Sequence, residues 1–93
     1  MRELQETFIG KGQVKGFAFT QIEKSASAYI YEVKTESTKY YEVFKRIENT
    51  RFGCVSYPSN NSFGVWAWTF PELIKAKEKF DELELLFEIK IGL

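Results

Sequence analysis

The chain alternates apolar and polar residues through much of its first 70 positions, and this two-residue period is typical of β-strands. In the first such stretch Phe17 and Phe19 fall on one side, and Ala18 and Thr20 fall on the other. Turn-forming segments interrupt the alternation, most clearly the Pro-Ser-Asn-Asn-Ser run at 58–62. We predict strands over residues 14–22, 28–34, 40–48, 51–57 and 64–70.

The period changes after residue 70, where apolar residues recur at three- and four-residue steps, as in an amphipathic helix. The repeat comprises Leu73, Ala76, Phe80, Leu83 and Phe87. Thr69 and Glu72 have the spacing of a capping box, with Pro71 in the first turn. We therefore predict a helix from about Phe70 to Leu85. Residues 86–93 are interpreted as a short tail. In this tail the last helical turn leads into a short pairing strand, which two subunits could exchange.

Together these elements predict a single α+β domain over residues 1–93. Its strands lie within residues 8–70, after a lead-in or a short first strand, and form a twisted antiparallel sheet of four to five strands. One C-terminal amphipathic helix follows and packs on one face of the sheet. The sequence leaves open which face the helix covers.

Aromatic residues are abundant, with nine Phe, five Tyr and two Trp among 93 residues. Each buried ring removes about 150–250 Å² from water, and one helix cannot shelter them all. We therefore expect part of this aromatic surface to meet another molecule, and we predict a homodimer. Trp66, Trp68 and Phe70 are predicted to share one side of their strand. For the two tryptophans, burial under the helix or in a subunit interface and contact with a ligand both remain open.

The formal net charge is zero, and the chain has no histidine. The missing histidine removes the commonest general base and most transition-metal sites. Glu36, Glu42 and Glu48 are predicted to lie in a turn and on an exposed strand face, which favours solvated surface charge over catalysis. The glycine cluster at 10–16 fits neither a P-loop nor a dinucleotide-binding fingerprint. We predict a protein without enzymatic activity, cofactor or metal site.

Cys54 is the only cysteine, so no intrachain disulfide can form. The first residues lack the basic and apolar segments of a signal peptide, and no apolar run approaches the ~20 residues of a membrane-spanning helix. These observations predict a cytoplasmic protein that does not enter a membrane.

The run Lys15-Gly16-Phe17-Ala18-Phe19 resembles the ribonucleoprotein octapeptide of RNA-recognition and cold-shock domains. In those domains a strand presents lysine and aromatic side chains to the bases. Thr20 stands where the motif has a branched apolar residue. The resemblance implies a base-stacking strand, and the alternative is that Phe17 and Phe19 are core residues.

The whole layout resembles the positive-cofactor-four and whirly-type single-stranded-DNA-binding proteins, in which antiparallel strands precede a capped C-terminal helix. Gly64-Val65 and the segment 69–72 resemble the family's glycine-apolar strand that leads into a Pro-Glu helix start. The resemblance implies that helices pair two subunits and that curved strands hold extended DNA. The zero net charge departs from the basic surface that phosphate binding favours.

We predict non-catalytic binding of single-stranded nucleic acid by an aromatic and basic sheet face. The predicted stacking residues are Phe17, Phe19, Tyr40 and Phe44, and the predicted phosphate-binding residues are Lys11, Lys15, Lys45, Arg46 and Arg51. Ordinary solvated charge is the other interpretation of these five cations. The competing function is a protein-interaction or inhibitory module, like small accessory proteins of phages and mobile elements, which would use the same aromatic face against a protein.

Overall fold

The computed structural model describes residues 1–90 and Gly92, and it consists of an antiparallel sheet followed by one helix. In chain order the elements are β1 (Thr7–Ile9), β2 (Ala18–Lys24), β3 (Ala28–Lys34), β4 (Lys39–Lys45), β5 (Glu48–Asn49), β6 (Cys54–Val55), β7 (Ala67–Phe70) and α1 (Leu73–Lys90). Strands β1, β2, β3, β4 and β7 form the sheet in that order, and β5 pairs with β6 in a separate ribbon. The predicted α+β class, the antiparallel sheet and the single C-terminal helix are confirmed.

The centre of the sheet is the β3–β4 hairpin, which pairs without a register shift. Both strands are rich in the aromatic and β-branched residues that fit a pleated, buried surface. Thr35 closes the turn between them, because its hydroxyl accepts the Thr38 amide at 3.0 Å and its own amide donates to the Thr38 carbonyl at 2.9 Å. Residues 28–31 are all buried, since both faces of β3 are covered.

The middle of the chain forms less of the sheet than predicted. The strand predicted over 40–48 leaves the sheet at Lys45, and the one predicted over 51–57 contributes only β6, outside the sheet. Gly53 has a φ of 64°, a left-handed turn conformation that interrupts the strand. These residues instead form an irregular segment with a short ribbon inside it.

The last strand begins at Ala67, three residues later than predicted. The residues before it fold into a turn in which the Trp66 amide donates to the Ser62 carbonyl at 3.0 Å. Trp66 therefore lies outside the strand and does not share a side with Trp68 and Phe70, so that prediction is wrong.

The helix begins and ends later than predicted. The amide of Ala76 donates to the carbonyl of Glu72 at 3.2 Å, which makes Glu72 the N-cap, so the predicted capping box opened by Thr69 is wrong. Residues 86–90 are helical because Leu, Glu and Lys are good helix formers, and the predicted pairing strand does not form there. Residues 91 and 93 lie outside the described residues. Each helix that the structure describes is too short or too polar to cross a membrane.

We name the side of the sheet that α1 covers the helix face. Its buried residues are Ala28, Ile30, Tyr41 and Val43 from the sheet and Ala76, Phe80 and Leu83 from the helix. Trp68 and Phe70 pack against this cluster, and the Lys79 ammonium lies 4.1 Å from the centroid of the Trp68 ring. The contacts that close this face are therefore mainly apolar.

We name the opposite side the loop face, because irregular segments cover it. Its buried residues are Phe19, Tyr29, Tyr31, Val33, Phe44, Val55 and Ala67. The covering side chains come from the N-terminal segment, the turn after β1 and the segment 52–66, and they include Leu4, Val14, Tyr57, Phe63 and Trp66. The N-terminal segment is anchored by Arg2, whose amide donates to the Gly53 carbonyl at 2.7 Å and whose carbonyl accepts the Val55 amide at 2.8 Å.

Candidate functional site

The four predicted stacking rings lie on the loop face, beneath the irregular segments. Phe19 and Phe44 are 3% and 0% exposed, so they are inaccessible to a base and the stacking role predicted for them is wrong. Phe17 and Tyr40 are half-buried against the same cluster. Among the described aromatic side chains, those in the exposed class are Phe52 and Phe87, which lie on different elements.

The surplus of aromatic rings fills a second layer of core. Tyr57 illustrates this layer, because its ring lies edge-on to Phe8 and Phe19 at centroid distances of 5.3 and 5.6 Å and tilted against Phe44 at 5.1 Å. One helix therefore does not have to shelter all the rings, since irregular segments provide a second cover for most of them.

The predicted phosphate-binding cations are dispersed over the molecule. Lys11 and Lys15 lie between β1 and β2, whereas Lys45 ends β4 and Arg51 lies between β5 and β6. Strands β2 and β4 run in the same direction, so Lys15, just before β2, lies about one strand length, roughly 20 Å, from Lys45. The structure does not bring these cations together in one track.

Arg46 is occupied by two carboxylates. Its Nη1 donates to Glu48 Oε2 and its Nη2 to Glu3 Oε2, both at 2.5 Å. The hydrogen bonds from Arg46 and Tyr29 lower the pKa of Glu3 to about 2. Burial, followed by the bond to Glu3, raises the pKa of Tyr29 to about 12. This network ties the N-terminal segment to the end of the sheet, which gives Arg46 a structural role.

The C-terminal end of α1 carries a cluster of exposed apolar side chains. Leu85, Leu86, Phe87 and Ile89 are 57%, 50%, 38% and 63% exposed. The last helical residue in the buried cluster is Leu83, so the following seven residues extend about 10 Å further at 1.5 Å per residue. Because successive helical residues are 100° apart, these side chains point to several sides of the helix. We name these four residues the helix-end surface.

A groove of about 470 Å³ lies between the helix-end surface and the end of β4. Its apolar lining is Ile47, Leu83, Leu86 and Phe87, and its basic lining is Lys45, Arg46 and Lys90. The groove is therefore apolar with a basic rim.

The other side of these helical turns is apolar and acidic. Leu85 and Ile89 lie one turn apart, and Glu78, Asp81 and Glu82 flank them from the preceding turns. Glu78 and Glu82 form exposed pairs with Lys75 and Lys79 at 3.6 and 3.3 Å. Such surface pairs contribute only about 0–1 kcal/mol, so they leave the acidic side chains available to another partner.

A cavity of about 370 Å³ opens on the loop face between β1 and the segment 57–63. Glu42 lies in its wall, 7% exposed, and the Tyr57 hydroxyl donates a hydrogen bond to Glu42 Oε1. Burial raises the pKa of the Glu42 carboxyl, and the bond from Tyr57 opposes that shift. Burial also raises the pKa of Tyr57, as does the neighbouring Glu42 charge. We name this the Glu42 cavity.

The prediction that Glu42 is solvated surface charge is wrong. Glu42 shares one side of β4 with Tyr40 and Phe44. The two neighbouring rings indicate that this side of the strand, and Glu42 with it, faces the interior. The structure does not bring Glu36 or Glu48 to the Glu42 cavity. Glu36 is exposed in the turn after β3, and Glu48 bonds Arg46.

Comparison with known proteins finds no matching family model, curated protein or solved structure. The resemblances to single-stranded-DNA-binding and cold-shock proteins therefore stay predictions. The function is inferred from the helix-end surface and its groove.

Proposed function

We propose that this protein is a non-catalytic protein-interaction module that self-associates through the C-terminal end of α1. The observation that carries the proposal is the exposure of Leu85, Leu86, Phe87 and Ile89 on the last two helical turns. A helix that is apolar on several sides is normally buried on several sides, whereas the sheet covers one side of α1. An exposed apolar cluster with a polar rim is typical of a protein-binding surface.

A second copy of the chain carries the chemistry that complements the groove. The groove has an apolar floor and a rim on which Lys45 and Lys90 supply the positive charge, since the Arg46 guanidinium is already paired with Glu3 and Glu48. The outer side of the same helix end presents Leu85 and Ile89 among acidic side chains. Two copies related by a two-fold axis would each place an acidic, apolar helix side in the basic, apolar groove of the other.

The size of the surface predicts a weak dimer. Complete burial of a Leu, Ile or Phe side chain contributes about 1.5–3 kcal/mol. The eight helix-end side chains of two copies are already roughly half covered, so their burial would contribute about 6–12 kcal/mol. Association itself costs about 4–15 kcal/mol. The net free energy therefore favours association by at most about 8 kcal/mol, so the dissociation constant is expected to be roughly micromolar at its tightest.

Single-stranded nucleic acid has less support as the partner. Phe19 and Phe44 are buried, Arg46 is paired with two carboxylates, and the remaining predicted cations are dispersed. Nucleic-acid binding, which the sequence predicts, is therefore the alternative outcome of the test below.

Sedimentation velocity over micromolar to millimolar protein concentration tests the proposal. The wild-type protein is expected to shift from monomer to dimer with increasing concentration. Leu86→Gln should weaken dimerisation about tenfold, because it places an amide in the apolar groove. Ile74→Gln is the matched control, since Ile74 is 65% exposed on the first turn of the same helix. Circular dichroism verifies that both variants fold.

A wild-type protein that stays monomeric over the whole range would overturn the proposal, and so would equal effects of the two substitutions. A labelled mixed-sequence oligonucleotide is titrated in parallel at several salt concentrations. Nucleic-acid binding would be supported instead if the logarithm of the affinity falls with the logarithm of the salt concentration with a slope of about −0.7 per contacted phosphate. Leu86→Gln should then leave this binding unchanged.

A further inference from the structure

The Glu42 cavity has walls that are held in place from both sides. The Asn60 side-chain amide donates to Gln13 Oε1 at 2.6 Å and so links the turn after β1 to the segment 60–62, and both of these contribute to the cavity lining through Val14 and Asn60. Phe8 stacks on Phe19 with ring centroids 4.6 Å apart, and Tyr57 closes the corner edge-on. A volume of about 370 Å³ falls within the range of small-molecule sites, about 300–1,000 Å³.

One oxygen of the Glu42 carboxyl makes no hydrogen bond to the described residues. The hydroxyl of Tyr57 donates to Oε1. Among the described residues no other side chain bonds Glu42, none forms an ion pair with it, and no buried side-chain oxygen lacks a partner. Oε2 is therefore not completely buried, although the residue as a whole is only 7% exposed, and Glu42 belongs to the lining of the cavity.

We propose that the Glu42 cavity binds a small primary alkylammonium ion, with the nitrogen at Glu42 Oε2 and the alkyl chain against the rings of Phe8, Phe19 and Phe63. A carboxylate inside an apolar cavity is costly unless a cation pairs with it. An alkylammonium ion supplies a positive charge, hydrogen-bond donors for the open oxygen and an apolar chain for the walls. Aromatic walls also favour organic cations.

A metal ion fits this cavity less well. Hard cations such as Ca²⁺ take about six to eight oxygen ligands, whereas the cavity offers one carboxyl group. Among the described residues no group of three or more His, Cys, Asp and Glu side chains could hold a metal ion. Lys11 at the cavity lining repels a divalent cation more strongly than a singly charged one.

Titration of the ¹⁵N-labelled full chain with n-butylammonium chloride, followed by amide chemical shifts, tests this proposal. The neutral control is n-butanol, which has the same alkyl chain. Saturable shifts are expected at the amides of Phe8, Glu42 and Phe63, with n-butanol binding at least about tenfold more weakly because it lacks the charge-assisted hydrogen bond.

Glu42→Gln is the matched variant, because glutamine retains an acceptor for Tyr57 and nearly the same shape but removes the charge. It should weaken n-butylammonium binding about tenfold or more and leave n-butanol binding unchanged. Tyr57→Phe should retain n-butylammonium binding, since both carboxyl oxygens then face the ligand. The proposal is overturned if n-butylammonium gives no saturable shift, if n-butanol binds equally well, or if Glu42→Gln has no effect. The ligand comparison on the wild type decides the matter even where a variant fails to fold.

Discussion

The two faces of the sheet are closed in different ways. On the helix face one regular element buries Ala76, Phe80 and Leu83 against strands β3, β4 and β7. On the loop face three irregular segments cover a larger set of aromatic rings. The difference shows that irregular segments can shelter rings that a straight helix cannot reach, because each segment follows its own path over the sheet. Such segments bring unpaired backbone and side-chain polar groups with them, and these groups need partners.

Tyrosines provide those partners on the loop face. The Tyr29 hydroxyl donates to Glu3 Oε1 and the Tyr31 hydroxyl donates to the Gln5 carbonyl, each at 2.6 Å. Both rings are fully buried while their hydroxyls bond the N-terminal segment. A tyrosine thus contributes apolar area to the core and a hydrogen bond to the cover. The helix face has no need of such bonds along α1, since a helix satisfies its own backbone.

The largest expected effect is the loss of a ring from the middle of the loop face. Phe44→Ala should lower the free energy of unfolding by about 3–5 kcal/mol. Phe44 is 0% exposed and lies 5.1 to 5.8 Å, centroid to centroid, from the rings of Tyr29, Tyr31 and Tyr57. Rigid rings cannot collapse into the space that the substitution leaves, so the cost should fall at the upper end of that range.

Phe80→Ala on the helix face is the comparison for this prediction. It removes the same side chain at 3% exposure, but α1 can shift toward the sheet and partly fill the space. Its cost should therefore be smaller than that of Phe44→Ala by about 1 kcal/mol. Urea unfolding measures both values, and an equal or larger cost for Phe80→Ala would contradict the view that the loop face is packed more rigidly.

The sequence predicted the regular parts of both faces and missed the irregular cover. Alternation in β3 and β4 and the apolar repeat in α1 are local signals that identify the sheet and the helix. Tyr57 reaches Glu42, and Arg2 reaches Gly53, through contacts distant in sequence that have no period. Without those contacts the rings of Phe19 and Phe44 are predicted as a free platform. The groove was missed for the same reason, since it depends on how far α1 extends beyond β4.

A medium effect is expected from removal of a single hydroxyl group on the loop face. Tyr57→Phe deprives the buried Glu42 carboxyl of its donor and should lower the free energy of unfolding by about 1–3 kcal/mol at neutral pH. Tyr41→Phe on the helix face is the matched control. Tyr41 is 6% exposed, and within the described residues its hydroxyl makes no hydrogen bond to the protein, so the cost should stay within about 0.5 kcal/mol. Equal costs in urea unfolding would show that hydroxyl bonds do not distinguish the two faces.

The smallest effects concern two acids whose pKa values shift in opposite directions. Burial raises the pKa of Glu42 above its ordinary value of 4.5, so the folded state binds more protons than the unfolded state just above that pH. The contribution of Glu42 to stability should therefore fall as the pH rises from 4.5 through its raised pKa. The wild type should lose stability relative to Glu42→Gln over the same window in urea unfolding at a series of pH values. A constant difference between the two proteins would contradict this prediction.

Glu3 should show the opposite slope. Its hydrogen bonds to Arg46 and Tyr29 lower its pKa from 4.5 to about 2, so the unfolded state binds more protons between these values. The stability that Glu3 contributes is present above pH 4.5 and is lost as the pH falls toward 2. Glu3→Gln should reduce this loss of stability at acid pH. Added salt should do the same, because Glu3 is partly exposed. If neither change alters the loss of stability at acid pH, the Glu3 network does not hold the N-terminal cover on the loop face, and the Tyr31 bond to Gln5 and the backbone bonds of Arg2 do so alone.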